Sequence, residues 1–248
     1  MADDVSSPFL SVVVPTWNEE GNVGGAVDSA WAAGADEVIV ADGGSEDRTT
    51  EEAEAAGALV VPLFRSVSDT SGKSRTTGGA RGRGPQQNAG AARAKGEVLL
   101  FLHADSRLPV TAAARIRRAL VDPGAVGGRF DVRLDHGGLL LRTVEGMINW
   151  RSRHTGIHTG DQAIFVRRAV FERLGGFESI PLFEDVRLTT RLRRHGRVVA
   201  VRDRVTTSAR RWVEGGRWRT ILRMWRLRAA HANGAEPKDL ARRYSRGS

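Results

Sequence analysis

The chain reads as an α/β fold, a Rossmann-like mixed and mainly parallel sheet flanked by helices, on three observations. Short, continuous apolar runs recur, longer helix-like stretches separate them, and polar motifs follow directly behind several of the runs. Runs that are β-branched or apolar throughout, rather than alternating, belong to parallel strands covered on both faces. With 248 residues, 40% of them hydrophobic, the chain can bury one sizeable core.

The first strand is expected at Phe9-Leu10-Ser11-Val12-Val13-Val14, with a helix over Glu19 to Ala33. Val38-Ile39-Val40-Ala41 supplies the second strand, and an Ala/Glu-rich helix follows near Asp47 to Ala56. Leu59 to Leu63 and Val98 to Leu102 read as the third and fourth strands. Between them, Arg65 to Gly84 is rich in Ser, Thr, Gly and Arg and almost free of apolar residues, which predicts a long mobile loop, either a solvated linker or a lid. Gly84-Pro85 opens a helix to Ala94, since proline suits a first turn, and Pro109 starts another that ends near Gly124. A strand is expected over Gly128 to Leu134, a helix over Gly138 to Arg153, a strand at Gln162 to Val166, and a helix carrying Leu188, Leu192 and His195. This divides the chain into one domain over 1–215, with a front half at 1–125 and a back half at 126–215, and a C-terminal helical tail at 216–248.

Zero cysteines exclude disulfides, thiolate metal sites and cysteine nucleophiles, so any metal is held by oxygen or imidazole. No apolar run is long enough to cross a bilayer and the start Met1-Ala2-Asp3-Asp4 is unlike a signal peptide, so a cytoplasmic address is expected. The net charge is +9; eleven Lys/Arg against three Asp/Glu lie from Arg210 onward, leaving the rest close to neutral. In this tail Trp218, Ile221, Leu222 and Trp225 recur at helical spacing among arginines. Such a stripe either packs on the domain or makes peripheral contact with an anionic membrane surface.

Phe101-Leu102-His103-Ala104-Asp105-Ser106 ends an apolar strand in an acid, at the strand end where open α/β sheets bind ligands. That arrangement points to a metal-diphosphate site and a nucleotide-activated donor. Pro15-Thr16-Trp17-Asn18-Glu19-Glu20 and Ala41-Asp42-Gly43-Gly44-Ser45-Glu46-Asp47 follow the first two strands and would line the same crevice. Asp42 offers acceptors to a base or ribose, and Gly43 and Gly44 let a ligand approach the backbone. The same letters also make a turn capped by Ser45 or Asp47. Arg83 and Asn88 stand at a helix start that favours anions, or belong to a basic loop and its capped helix. Glu184-Asp185 either complements a helix dipole or presents a carboxylate to chemistry. Gly160-Asp161-Gln162 is open to a turn before a strand.

Taken together, R-G-R-G-x-Q-x-N-A-G (81–90), F-L-H-A-D-S (101–106), G-D-Q-A-I-F-V-R-R (160–168), E-D-V-x-L (184–188) and T-T-S-A-R-R-W (206–212) resemble family 2 glycosyltransferases of the GT-A fold. The resemblance runs from Phe9 to Trp212 and is greatest to a compact bacterial subgroup labelled for arsenosugar biosynthesis or radical-SAM and selenium-domain association. It implies that Pro15, Thr16, Asn18, Glu19, Asp42, Gly43, Gly44, Arg83, Asn88, His103, Ala104, Asp105 and Arg211 bind the donor. Asp105 matches the last acid of the family's D-x-D motif, with His103 in place of the first. Both are candidate ligands of Mg²⁺ or Mn²⁺. Asp185 matches the catalytic base of inverting relatives, with Glu184 its helper. Gly160, Asp161, Gln162 and Trp212 would border the sugar or acceptor pocket.

Ser208 stands where the Q-x-x-R-W signature of membrane-embedded synthases has glutamine, and with no membrane spans a polymerase is not expected. The implied function is inverting, metal-dependent transfer of a sugar from a nucleotide diphosphate sugar, UDP-linked by default, to an acceptor hydroxyl, with no nucleic-acid partner. Two rivals stand beside it. A sugar-phosphate nucleotidyltransferase would need a Gly-rich, lysine-containing loop after the first strand, which 15–20 lacks. A non-enzymatic nucleic-acid or membrane-binding protein would rest on the basic tail and leave the acids unexplained. The transferase reading requires the acids at 42, 105 and 185 to converge on one cleft.

Overall fold

The computed structural model describes residues 7–68, 74–78, 82–136 and 138–210, with isolated positions 226, 230, 235–236 and 239–240 beyond them. In chain order the elements are β1 (Leu10–Thr16), α1 (Val23–Ala32), β2 (Glu37–Asp42), α2 (Thr49–Ala55), β3 (Leu59–Pro62), β4 (Phe64–Ser68), β5 (Ser74–Gly78), α3 (Arg83–Arg93) and β6 (Val98–Phe101). Next come β7 (Ser106–Arg107), α4 (Ala112–Ala119), β8 (Ala125–Leu134), α5 (Leu139–Thr155), β9 (Ile164–Arg167), α6 (Arg168–Arg173), α7 (Glu184–Leu192) and β10 (Arg197–Thr207).

Eight strands form one mixed sheet in the order β3-β2-β1-β6-β9-β8-β10-β7. The front four are parallel, as their continuous apolar letters predict; β9 is antiparallel to both β6 and β8, and β8 returns to a parallel pairing with β10. Two apolar layers cover the sheet. One packs Val12, Val14, Val40 and Leu100 under α1 and α4, and the other packs Val13, Ile39, Leu99 and Phe101 under α3, α6 and α7. Alternate residues of the same strands thus enter opposite layers, the signature of a doubly covered sheet.

Proline within a central strand normally removes a ladder bond. Here β6 pairs with β1 only through Val13, and the last bond on that side runs from Leu102 N to the Val13 carbonyl. By strand alternation Pro15 faces that same side, beyond the end of β6, so its missing N–H costs nothing. The sheet therefore opens between the carboxyl ends of β1 and β6. Chain order also reverses there, with β2 and β3 on one side and β6 on the other, the place where such sheets bind ligands.

Several expectations are corrected. Residues 64–68 and 74–78 form an antiparallel hairpin, β4–β5, within the stretch read as a loop. Its connection at 69–73, and 79–81, lie outside the described residues, as does most of the tail, including Trp218, Ile221, Leu222 and Trp225. β10 escaped the sequence reading because arginines interrupt its valines. His195 falls beyond the end of α7 and is exposed.

Gln162 is also corrected. Past Gly128 the β9 side of β8 has no strand partner, and buried backbone groups left unpaired are costly. Side chains take the place of a strand. The Gln162 amide donates to the Phe130 carbonyl (3.4 Å) and Ser152 Oγ (2.9 Å), Asn149 pairs with both the N–H and carbonyl of Val132 (2.8 and 3.0 Å), and Glu145 accepts from Leu134 N (2.9 Å). Gln162 is fully buried and seals an edge instead of bordering a pocket.

Candidate functional site

At the β1/β6 opening lies a cleft of about 460 Å³, lined among others by Thr16, Glu19, Gly43, Arg83, His103 and Asp105. The loops behind β1 and β2 are stitched together along one wall. Asn18, at a left-handed φ of 52° that asparagine tolerates, donates its N–H to Ser45 Oγ (2.9 Å), and its side chain accepts from Glu46 N (2.9 Å). Glu19 N donates to Thr49 Oγ1 (2.7 Å).

Asp42 is buried at the end of β2. One carboxylate oxygen accepts from the N–H groups of Gly44 (2.9 Å) and Ser45 (3.0 Å), the other from Ser45 Oγ (2.5 Å) and Thr16 Oγ1 (3.3 Å). A carboxylate has about four lone-pair sites, and all are taken. Asp42 and Asn18 therefore build the wall behind the Thr16 and Gly43 surface of the cleft. Gly43 is required there by closeness, since a Cβ would collide with the Gln86 amide. That amide, buried, donates to the Thr16 carbonyl (2.5 Å) and fixes the start of α3 against the end of β1.

The opposite wall comes from α3 and from the turn after β6. Arg83, half-exposed, stands at the first turn of α3 with Nη1 4.0 Å from a Glu184 oxygen. Asn88 does not reach the cleft. Its amide donates to the Phe177 carbonyl (2.8 Å) and accepts from Phe177 N (2.9 Å), pinning α3 to the loop before α7. Asp105 lines the cleft and has one long side-chain contact, Ser106 Oγ at 3.4 Å. Its backbone carbonyl accepts from Ser208 N (3.1 Å), which brings the end of β10 alongside.

Behind Asp105 the third group of residues arrives. His103 Nδ1 is 3.2 Å from Asp161 Oδ1, and the other edge of the ring abuts Gly160, where a Cβ would overlap Nε2. One ring nitrogen thus faces Asp161 and the other edge packs on Gly160, which makes His103 a link between the cleft and the 160 turn. Gly160 N in turn donates to Asp185 Oδ2 (2.7 Å), while Asp185 Oδ1 accepts from Val186 N (2.6 Å) at the start of α7. Phe183, in a left-handed conformation (φ 69°), turns the chain into that helix and packs against Leu240 of the tail. Glu184 is buried, and desolvation together with the Asp185 charge pushes its carboxyl above the usual range, Arg83 opposing.

Of the acids at 42, 105 and 185, Asp105 lines the cleft, Asp42 lies buried at the end of β2, and Asp185 is joined through Gly160 to His103. Gly44 sits behind Gly43 against Phe64. Arg211, Trp212 and Arg81 lie outside the described residues; Arg210, which is described, brings its guanidinium to 4.0 Å from Glu19. Sequence reasoning does not reach five residues of the cleft: Phe64, Gly82, Gln86, Pro181 and Trp17, the last 64% exposed at the mouth. Trp17 was visible in its motif as a large aromatic directly behind a buried strand. Among the described residues no three His, Asp or Glu side chains form a preassembled metal cage, and no helix is long and apolar enough to cross a membrane.

No curated protein is detectably similar in sequence to the chain. Solved structures share its fold. Glucosyl-3-phosphoglycerate synthase from Mycobacterium tuberculosis, in complex with Mn²⁺, UDP and glucosyl-3-phosphoglycerate, superimposes with a TM-score of 0.56 at 20% identity over 80% of this chain and 71% of that one. S. aureus TarS 1–349 in complex with UDP gives 0.60 at 18% identity over 81% of this chain and 60% of that one. A mycobacterial protein gives 0.56 at 20% identity over 82% of this chain, which spans 66% of that protein's length. The model of glycosyl transferase family 2 matches residues 11–175, which run from β1 past the Asp105 turn to the end of β9 and α6. With two thirds of its length in that match and the mixed sheet intact around it, the chain belongs to glycosyl transferase family 2 and is a glycosyltransferase.

Proposed function

We propose that the protein transfers a sugar, with inversion, from a nucleotide diphosphate sugar to an acceptor hydroxyl, and that a divalent ion assists. The donor is UDP-linked by default. The observation that carries this reading is the chain of contacts Asp105 turn, His103, Gly160, Asp185, which ties a cleft-facing carboxylate to a second one at the start of α7. Family membership sets aside both rival readings, the nucleotidyltransferase and the non-enzymatic binder.

The residues present fit Mg²⁺ or Mn²⁺. Such ions are held by one or two carboxylates with substrate phosphates completing the shell, and Asp105 offers one uncommitted carboxylate at the cleft surface. The relatives that bind Mn²⁺ with UDP or UDP-glucose support that choice. When bound, the ion neutralises charge on the departing diphosphate. Arg83, at the first turn of α3, adds a guanidinium fork for the same phosphates. Trp17 offers an indole face on which a base stacks.

Asp185 acts as general base. As the acceptor oxygen attacks the anomeric carbon, the bond from that carbon to the diphosphate oxygen breaks, the nucleoside diphosphate leaves, and the hydroxyl proton passes to the Asp185 carboxylate. Gly160 N holds Oδ2 in place for that transfer. Glu184 stands beside that base, its carboxyl raised by burial and by the Asp185 charge, with Arg83 opposing. Residues 1–215 act as one domain, with 1–125 serving the donor and 126–215 the acceptor. The full motif set also supports the compact bacterial subgroup, which fixes no acceptor.

The experiment is a panel of UDP-, GDP- and dTDP-sugars followed for nucleotide release, with chelator and then with Mn²⁺ or Mg²⁺ restored. Release from one donor that is lost with chelator and regained with metal is expected. Failure of every donor to bind or react with either ion contradicts the proposal.

A further inference from the structure

A second cavity of about 460 Å³ lies between α5 and the strands β8 and β10, away from the donor cleft. Arg133 on β8, Arg142 on α5 and Arg204 on β10 project around it. Among the described residues none of the three guanidiniums has a hydrogen-bond or ion-pair partner. Two carboxylates, Asp135 and Glu145, share the lining, and neither makes an ion pair with these arginines. Glu145 accepts from Leu134 N, Asp135 accepts from Ala209 N (2.8 Å) and faces His136 (3.0 Å), and the Asn149 amide is used up on Val132. Deeper on the same face Asp131 is shared by two guanidiniums, those of Arg129 and Arg153, so no spare carboxylate lies there either.

Three guanidiniums outnumber the two carboxylates around this concavity, and guanidinium forks match the oxygens of phosphate. We propose that this cavity is an anion site for a phosphate group, separate from the diphosphate end of the donor cleft. Register sets the spacing of the strands that carry the two. Leu134 at the cavity pairs with Thr207, which pairs with Ser106 beside Asp105. Two strand spacings are about 10 Å, the reach of a small phosphorylated molecule. The site therefore suits a phosphate carried by the acceptor. That assignment rests on the transferase reading; the binding of phosphate does not.

Isothermal titration with inorganic phosphate at constant ionic strength tests it, on the full chain and on the Arg142→Gln/Arg204→Gln double variant and Arg83→Gln. All three side chains are exposed or half-exposed, and matching melting temperatures establish that the variants fold. A saturable site that weakens ten-fold or more in the double variant and persists in Arg83→Gln is expected. Loss only in Arg83→Gln, equal affinity in every variant, or no saturable binding overturns the proposal. A second arm identifies the source of the phosphate. Co-sedimentation with phosphatidylglycerol vesicles but not phosphatidylcholine vesicles, lost in the double variant, assigns a lipid headgroup; phosphate binding without co-sedimentation assigns a soluble phosphorylated molecule.

Discussion

The backbone N–H of Gly160 donates to Oδ2 of Asp185 at 2.7 Å while its α-carbon lies against the His103 ring. One residue without a side chain therefore spaces the two halves of the site. Gly160→Ala forces a Cβ into His103, and either the ring or the 160 turn must move. Overpacking of this kind costs about 1–3 kcal/mol. A catalytic constellation displaced by about 1 Å loses on the order of 100-fold in rate. The variant is expected to lose far more in kcat than its modest fall in Tm explains. Unchanged kcat would show that the contact positions nothing.

Glu184 gives a pH signature. Its carboxyl is raised first by burial and then by Asp185, so the folded chain binds that proton more tightly than the unfolded chain does. Its contribution to stability is complete below the ordinary carboxylate value of about 4.3 and is lost as pH rises through the raised value. Glu184→Gln keeps the neutral form throughout. Thermal melts from about pH 4 to pH 8 should show wild type losing stability relative to the variant as pH increases. A constant difference across that range would contradict the assignment.

Asn88 separates a structural from a binding role. Both of its amide groups are spent on Phe177, so Asn88→Ala leaves two buried backbone groups unpaired, at about 1–3 kcal/mol each. A clear drop in Tm is expected, with donor KM within about two-fold for the folded fraction, well under the ten-fold that 1.4 kcal/mol of lost binding would give. A large rise in KM at unchanged Tm would restore the donor contact to this residue.

Trp17 should behave in the opposite way. At 64% exposure it supports little of the fold, while stacking on a base is worth about 1–3 kcal/mol. Trp17→Ala is expected to weaken UDP binding by about one order of magnitude or more, measured by titration, with Tm unchanged. Equal affinity in both proteins would remove the residue from the donor site.

What the letters reveal follows from what each residue is asked to do. β1, β2 and β6 are legible because strands covered on both faces must be apolar without interruption. β10 is not, because Arg202 and Arg204 face outward between buried Val201 and Val205. The β4–β5 hairpin is hidden by a composition that also suits loops. Cleft-facing Asp105, Arg83 and Gly43 could be read from their place behind strands and at a helix start. Asp42, Asn88 and Gln162 each bond groups of the fold itself, which the letters do not show, because a polar side chain that satisfies buried backbone looks the same in sequence as one that satisfies a ligand. Gln86 was overlooked on the same ground, since its purpose is the Thr16 carbonyl 70 positions away.

The central claim is that Asp185 removes the acceptor's proton. Steady-state kinetics of Asp185→Asn, with donor affinity measured separately by titration, tests it most directly. The account predicts a loss in kcat of about 10²–10⁴-fold with donor affinity nearly unchanged, because the base touches the acceptor and not the nucleotide. Turnover at the wild-type rate, or a loss confined to donor binding, would contradict it.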